Sequence, residues 1–576
     1  MRMTSQNNHA IHSRVITLLI ILAGVVASYS SYFDFSKLRP PTYFNYDIVL
    51  FTQYRIFLFY CIIVMLWLIT VYSKKARAVF LSLLITVLIY SSIIAVNFPF
   101  IIHRDAYLHG GPVEYIIKRG SLSGLEMFGR DDVVSWPGWF IFQSIYVVVT
   151  NGRVIESITV LTALYPLLVF LLFYAMFVER RFPKSASNFI GILPLLFLVN
   201  NYGLFTSSFA RWHFAILLAT ILQSVLIDFV LAHPSKGLKQ AAAIAIIVSA
   251  TIILSHPYVA TFMVTEILVL LVFFTSVHRL ARDTLKYLYA IILFFVIHVI
   301  FNISSNFVEL GFNSVLKYFS NPQIYSEFVV QSTPIRVKSL YPISEVAYVF
   351  RLLYRVFTVS TFLVLIYLTL RFLIANNTVG GDIKSLKFLT LSSLIAYGVI
   401  SAYLVGSFLW FERTLYVAYL IFMPGTQLLH TWISKPQGRM GNHYKLAPIF
   451  LNVLILIALL SAVFISLEPN YSTIRVRYPW IDASLNFISM SNVSGICGGT
   501  FSTIYYSYFT IIRETVLRSS TLMNIIRSGT GCKSQYIMLS LLDPEIVQGY
   551  INTFELDSVY SRVIDAGGMV YLWWLG

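Results

Sequence analysis

The chain has 576 residues, 58% of them hydrophobic and only 11% charged, with a formal net charge of +16 and a mean hydropathy of +0.77. That balance excludes an ordinary soluble domain, in which about 25% of residues carry charge. The basic residues come in small scattered groups with no basic face interleaved with aromatics, which argues against nucleic-acid binding.

Apolar runs recur from the first residues to about residue 466. Each is long enough for a helix to cross a hydrocarbon core roughly 30 Å thick. The sequence predicts about thirteen spans: 15–32, 55–72, 78–100, 156–178, 188–205, 214–232, 241–255, 257–276, 287–303, 352–375, 388–408, 414–431 and 446–466. The expected fold is therefore an all-α polytopic membrane protein. The first run follows Arg2 and Arg14 as a signal peptide would, yet lacks a small-residue cleavage site and reads as a retained helix. Runs 241–255 and 257–276 would alternatively form a broken re-entrant pair about Ser255, His256 and Pro257.

Alternate connecting segments carry the basic groups, such as Lys74, Lys75 and Arg77, or Arg180, Arg181 and Lys184. Short basic loops stay in the cytoplasm, so the N-terminus is expected inside. Residues 101–155 and 304–351, and everything after about 467, are then expected on the outer face. Loops of that length usually have structure or work of their own.

Residues 101–155 hold "HRDAYLHGGPVEYIIKRG", in which Val113, Ile116 and Ile117 repeat at helical spacing and Glu114 and Lys118 lie four apart. A short interfacial helix fits this pattern. "WPGWFIFQSIYVVV", from Trp136, is too short to span and would lie along the surface. Beyond residue 467, turn-rich "SGTG" and "DAGG" separate short apolar runs, which predicts a small outer α/β domain over 467–576. There "SRVIDAGGMVYLWW" reads as a hairpin or two short strands. Cys497 and Cys532 both fall in this part, where a disulfide is chemically feasible, while Cys61 sits in an apolar run.

Asp105 is the leading candidate for chemistry. A carboxylate beside Arg104, with His103 and His109 close in sequence, can stay ionised at an interface and accept a proton from a hydroxyl; the plain alternative is a solvated charge that ends a helix. Asp131 and Asp132 are adjacent and suit either a hard divalent cation or acceptor binding. On an extended strand, though, neighbours point to opposite faces. His256 in the SHP turn is a candidate substrate contact. Glu266 and Asp228 lie within apolar runs, where snorkelling or a local hydrogen bond would account for them.

Several of these pieces together resemble one family. An Arg-Asp unit at the end of a run, then an aromatic, His-Gly and a short amphipathic helix, then a Pro-Gly-aromatic segment, is similar to the first outer loop of the C-type (GT-C) membrane glycosyltransferases. That superfamily uses polyprenyl-phosphate sugars and includes protein O-mannosyltransferases and lipid A aminoarabinose transferases. "FTSSFARWHFAILL" from Phe205, "SHP" at Ser255 and "WFERTLY" from Trp410 are similar to features of archaeal members. The resemblance implies Asp105 as general base. A lipid-phosphate sugar donor would meet a hydroxyl acceptor on a glycan, protein or lipid, and C1 would be displaced with inversion. Read from the residues themselves, Arg104, His109, Asp131, Asp132 and His256 are candidate substrate contacts; Arg413 is the first choice to stabilise the leaving phosphate or else pairs with Glu412, with Arg211 and His213, and Arg351 and Arg355, as alternatives. The "WWDYG" signature of oligosaccharyltransferases is absent, since Leu575 and Gly576 follow Trp573 and Trp574. The rival readings are a transporter or flippase of lipid-linked glycans and a non-catalytic membrane protein of the same fold.

Overall fold

The computed structural model describes residues 104–125, 131–178, 211–231, 238–277, 282–301 and 381–406, four short strands after residue 496, and scattered helical positions within 81–88, 353–374 and 454–457. The expected spans at 15–32, 55–72, 188–205, 414–431 and most of 446–466 lie outside the described residues, as do Arg413, Cys532 and the sequence from 304 to 351.

Where described, the segment from residue 104 to residue 150 is largely helical. Helix α1 (Arg104–Arg119) is longer than the short amphipathic piece expected, and it runs through Gly110, Gly111 and Pro112. Those three positions are buried along with Val113: with little or no side chain to accommodate, the backbone of α1 comes close to its neighbours. Gly120, in the left-handed conformation, ends the helix and donates its N–H to the Ile116 carbonyl at 2.8 Å, a common helix stop. Helix α2 (Asp131–Ser135) follows. Trp136 and Pro137 then lead into α3 (Gly138–Thr150), where the Pro137 carbonyl accepts the Ile141 N–H at 2.9 Å. Asn151 closes α3 at φ 49°, and α4 (Val154–Val178) starts three residues later.

Helices α5 (Arg211–Leu231), α6 (Leu238–Ser255), α7 (Pro257–Val277), α8 (Arg282–Phe301) and α9 (Gly381–Gly406) complete the bundle. One residue, His256, joins α6 to α7. Its N–H donates to Ile252 at 3.0 Å and its carbonyl accepts from Ala260 at 3.0 Å, so it closes one helix and opens the next. The cause is Pro257: proline is favoured at a first helical position, and it pushes the preceding residue away from helical geometry. The chain reverses there. Trp212 of α5 meets Tyr258 at the start of α7, and further along the same two helices Gln223 meets Glu266, so α7 runs back beside α5 in the same sense.

After residue 496, β1 (Cys497–Gly498), β2 (Tyr536–Ser540), β3 (Ser561–Asp565) and β4 (Val570–Trp574) form one sheet in the order β1-β2-β4-β3. β1 and β2 are parallel. β4 pairs antiparallel with β2 and with β3, the latter pair carrying an irregularity between Arg562 and Ile564. "SRVIDAGGMVYLWW" is thus a hairpin.

The expectation of an all-α polytopic membrane protein with about thirteen transmembrane helices is corrected. Counted over the described residues, no helix is long and apolar enough to cross a membrane. An apolar run looks the same in sequence whether it faces lipid or the inside of a bundle. In α7 most apolar side chains turn inward: Val259, Ala260, Phe262, Met263, Ile267 and Leu270 are buried around a buried Glu266, while Leu268 and Val272 are exposed. The apolar stretch from 238 to 277 is also divided by the reversal at His256.

A methyl group on Gly138 would lie 2.5 Å from the Ser255 hydroxyl oxygen and 3.1 Å from the Leu254 carbonyl carbon and oxygen. Gly138→Ala is therefore expected to lower the stability of the full chain by about 1–3 kcal/mol, the usual cost of overpacking. In a denaturation series, adding Ser255→Ala should recover part of that loss, because the Leu254 backbone cannot move aside as easily as a hydroxyl. Equal stability of Gly138→Ala and wild type would contradict this packing.

Candidate functional site

Two motifs that stand far apart in the sequence meet in space. The Trp-Pro-Gly turn before α3 rests on the last turn of α6 through Gly138, where Ser255 and Leu254 occupy the space that a side chain would need. Ser255 itself donates to the Thr251 carbonyl at 2.5 Å, which fixes the hydroxyl beneath the glycine.

Aromatic and imidazole rings extend from this contact in both directions. On one side the Trp139 ring stands at right angles to Phe140 at 5.0 Å, and the His109 imidazole from α1 meets them edge-on at 5.8 and 6.0 Å. On the other side His256 is 4.5 Å from Trp212 and 5.4 Å from Tyr258. Trp136 contacts His298 of α8 at 4.7 Å, while His213 contacts Tyr165 of α4 at 5.3 Å. Edge-to-face pairs of this kind add about 0.5–1.5 kcal/mol each beyond their area burial. The starts of α3, α5 and α7 and the ends of α6 and α8 thus converge at one end of the bundle.

The candidate residues fall as follows. Arg104 and Asp105 open α1, and position 105 precedes His109 by one helical turn, hence on the same helical face. Asp105 therefore lies in the first turn of a helix, whereas the sequence suggested a loop. Asp131 and Asp132 begin α2; on a helix they are not set on opposite faces as an extended strand would set them. Among the described residues no group of three or more His, Cys, Asp and Glu side chains could hold a metal ion. His256 is at the contact itself. Arg211 and His213 open α5 close by, and Arg413 lies outside the described residues.

Sequence reasoning singled out the Trp-Pro-Gly and Ser-His-Pro motifs separately and missed their pairing. It also missed Trp139 and Gln143, one turn apart on α3 and fully buried, whose indole N–H and side-chain amide have no hydrogen-bond partner among the described residues. The available signal was their i,i+4 spacing in an otherwise apolar stretch. The opposite face of α3 is wholly apolar and open: Ile145, Val148 and Val149 are 59%, 62% and 78% exposed. No family model matches the chain, and no curated protein matches it in sequence.

The Trp212 and His256 rings come from different helices, so their coupling reports whether α5 and the α6–α7 corner meet as described. A double-mutant cycle of Trp212→Ala and His256→Ala, read by unfolding of the full chain, should give an interaction energy of about 0.5–1.5 kcal/mol. Strict additivity would mean that the two rings do not touch.

Proposed function

We propose that the chain is a membrane-bound glycosyltransferase that moves a sugar from a polyprenyl-phosphate donor to a hydroxyl acceptor, with Asp105 as general base. The observation that carries this reading is the meeting of the Trp-Pro-Gly and Ser-His-Pro motifs, with His109 of the helix that bears Asp105 packed on Trp139, next to the Gly138 contact. Both motifs belong to the set by which the sequence resembles the GT-C enzymes. Their juxtaposition is what a shared site needs, because a base and the groups that orient a sugar must act within a few ångströms of one atom.

The aromatic surfaces suit a sugar, whose C–H faces pack on rings while its hydroxyls need donors and acceptors. The exposed apolar face of α3, together with exposed Ile247 on α6 and Leu293 and Ile300 on α8, supports contact with lipid, since contiguous apolar surface is rare on freely soluble monomers. A lipid-borne donor would be delivered along such surfaces, and the acceptor would come from the outer, aqueous side. The acceptor oxygen would bond to C1 from the face opposite the phosphate as the C1–oxygen bond to the lipid phosphate breaks; its proton would go to the Asp105 carboxylate and the negative charge to the leaving phosphate. Arg104 and Arg413 are the proposed cationic partners of that phosphate, with His109, His256, Asp131 and Asp132 proposed to bind substrate.

The test uses purified full chain with labelled polyprenyl-phosphate sugars and native membrane extract. Wild type should transfer label, and Asp105→Asn should lower the rate by about 10²–10⁴, the usual contribution of a general base, with an unchanged unfolding curve. Transfer that survives Asp105→Asn, or no transfer by wild type from any donor, would overturn the reading.

A further inference from the structure

Away from the ring cluster, near the middle of α7, Glu266 is completely buried. Its partners come from two other helices, 43 and 127 residues away in sequence: the Gln223 Nε2 of α5 donates to both carboxyl oxygens, at 2.7 and 2.5 Å, and the Ser393 hydroxyl of α9 shares a hydrogen bond with Oε1. Thr220 and Thr390, one turn from Gln223 and Ser393, are fully buried too. A polar seam therefore joins α5, α7 and α9 inside an otherwise apolar packing.

Among the described residues no positive charge bonds to it. Arg211 and His213 on α5, Lys286, Tyr287, Tyr289 and His298 on α8, and Lys387 and Tyr397 on α9 are the titratable side chains described on the neighbouring helices. α6 has no titratable group among its described side chains, and none of those named bonds to Glu266. An unpaired ion taken out of water costs several kcal/mol even after relaxation.

The hydrogen count points the same way. Ser393 lies 3.0 Å from the Leu389 carbonyl, and Ser144, Thr162, Thr220, Thr251, Thr261 and Ser392 donate to the carbonyl four residues back in the same manner. A serine has one hydrogen to give. If Ser393 gives it to Leu389, the bond to Oε1 needs its hydrogen from Glu266. A neutral carboxylic acid meets every requirement at once: its O–H donates to Ser393 Oγ, its other oxygen accepts from Gln223, and no buried charge remains.

We infer that Glu266 is a proton-binding site, and that its neutral acid form is what closes the seam between α5, α7 and α9. The ligand is one proton, taken from solvent when the helices close and returned when they part. This site is separate from the proposed sugar-transfer chemistry and does not depend on it.

Infrared spectroscopy of the full chain near neutral pH tests the inference directly. Wild type should show a protonated carboxyl C=O band that is lost in Glu266→Gln, which keeps a neutral acceptor of the same shape and should unfold at nearly the wild-type temperature. Glu266→Ala, which leaves Gln223 and Ser393 facing a cavity, should unfold at a distinctly lower temperature. A band that persists in Glu266→Gln, no such band in wild type, or a Glu266→Gln variant as unstable as Glu266→Ala would overturn it. So would an unfolding temperature that rises with sodium at fixed pH in wild type and not in Glu266→Gln, since the occupant would then be a metal cation.

Discussion

Gly138 has no side chain to offer because the room for one is already taken by the Ser255 hydroxyl and the Leu254 carbonyl. This close approach of two backbones places the entrance of α3 on the α6–α7 corner, and the neighbouring rings then fall into reach of one another: Trp139 and Phe140 toward His109, and His256 toward Trp212. Two prolines prepare the contact locally. Pro137 provides the carbonyl that starts α3, and Pro257 forces the reversal at His256. A side chain in place of the glycine would strain this contact unless the Ser255 side chain gave way.

Much of the helical framework was legible in the sequence. The apolar windows 156–178, 214–232 and 257–276 correspond to Val154–Val178, Arg211–Leu231 and Pro257–Val277, because helix length and proline placement are local properties. The break at Ser255–Pro257 was legible for the same reason. What an apolar helix faces was not: Phe262 and Ile267 have the same composition in a core as against lipid, and that ambiguity is why the thirteen-span reading did not survive. The helix through Gly110, Gly111 and Pro112 was hidden as well, since local propensity argues against it and only packing against other helices sustains it.

The site was legible in parts and not as a whole. Trp-Pro-Gly and Ser-His-Pro were each visible as motifs, while their contact is a tertiary fact with no periodic signature. The same holds for Glu266. In sequence alone, snorkelling or a local bond explains one acid in an apolar run, yet its partners Gln223 and Ser393 come from helices far along the chain. The bundle thus contains two different polar arrangements: an aromatic and imidazole cluster at one end, where chemistry on a sugar is proposed, and a hydroxyl-rich seam deeper inside that fastens three helices.

The account rests on the two corners touching, and a cysteine pair reads that contact directly. With Cys61, Cys497 and Cys532 replaced, Gly138→Cys and Ser255→Cys introduced together should form an internal disulfide under mild oxidation, since a β-carbon at 138 would sit 2.5 Å from the Ser255 hydroxyl oxygen and bridged β-carbons lie about 3.5–4.5 Å apart. Reduction should restore two free thiols. Two thiols that stay fully open to alkylation after oxidation, in chain that is otherwise folded, would contradict the meeting of the corners and the site built on it.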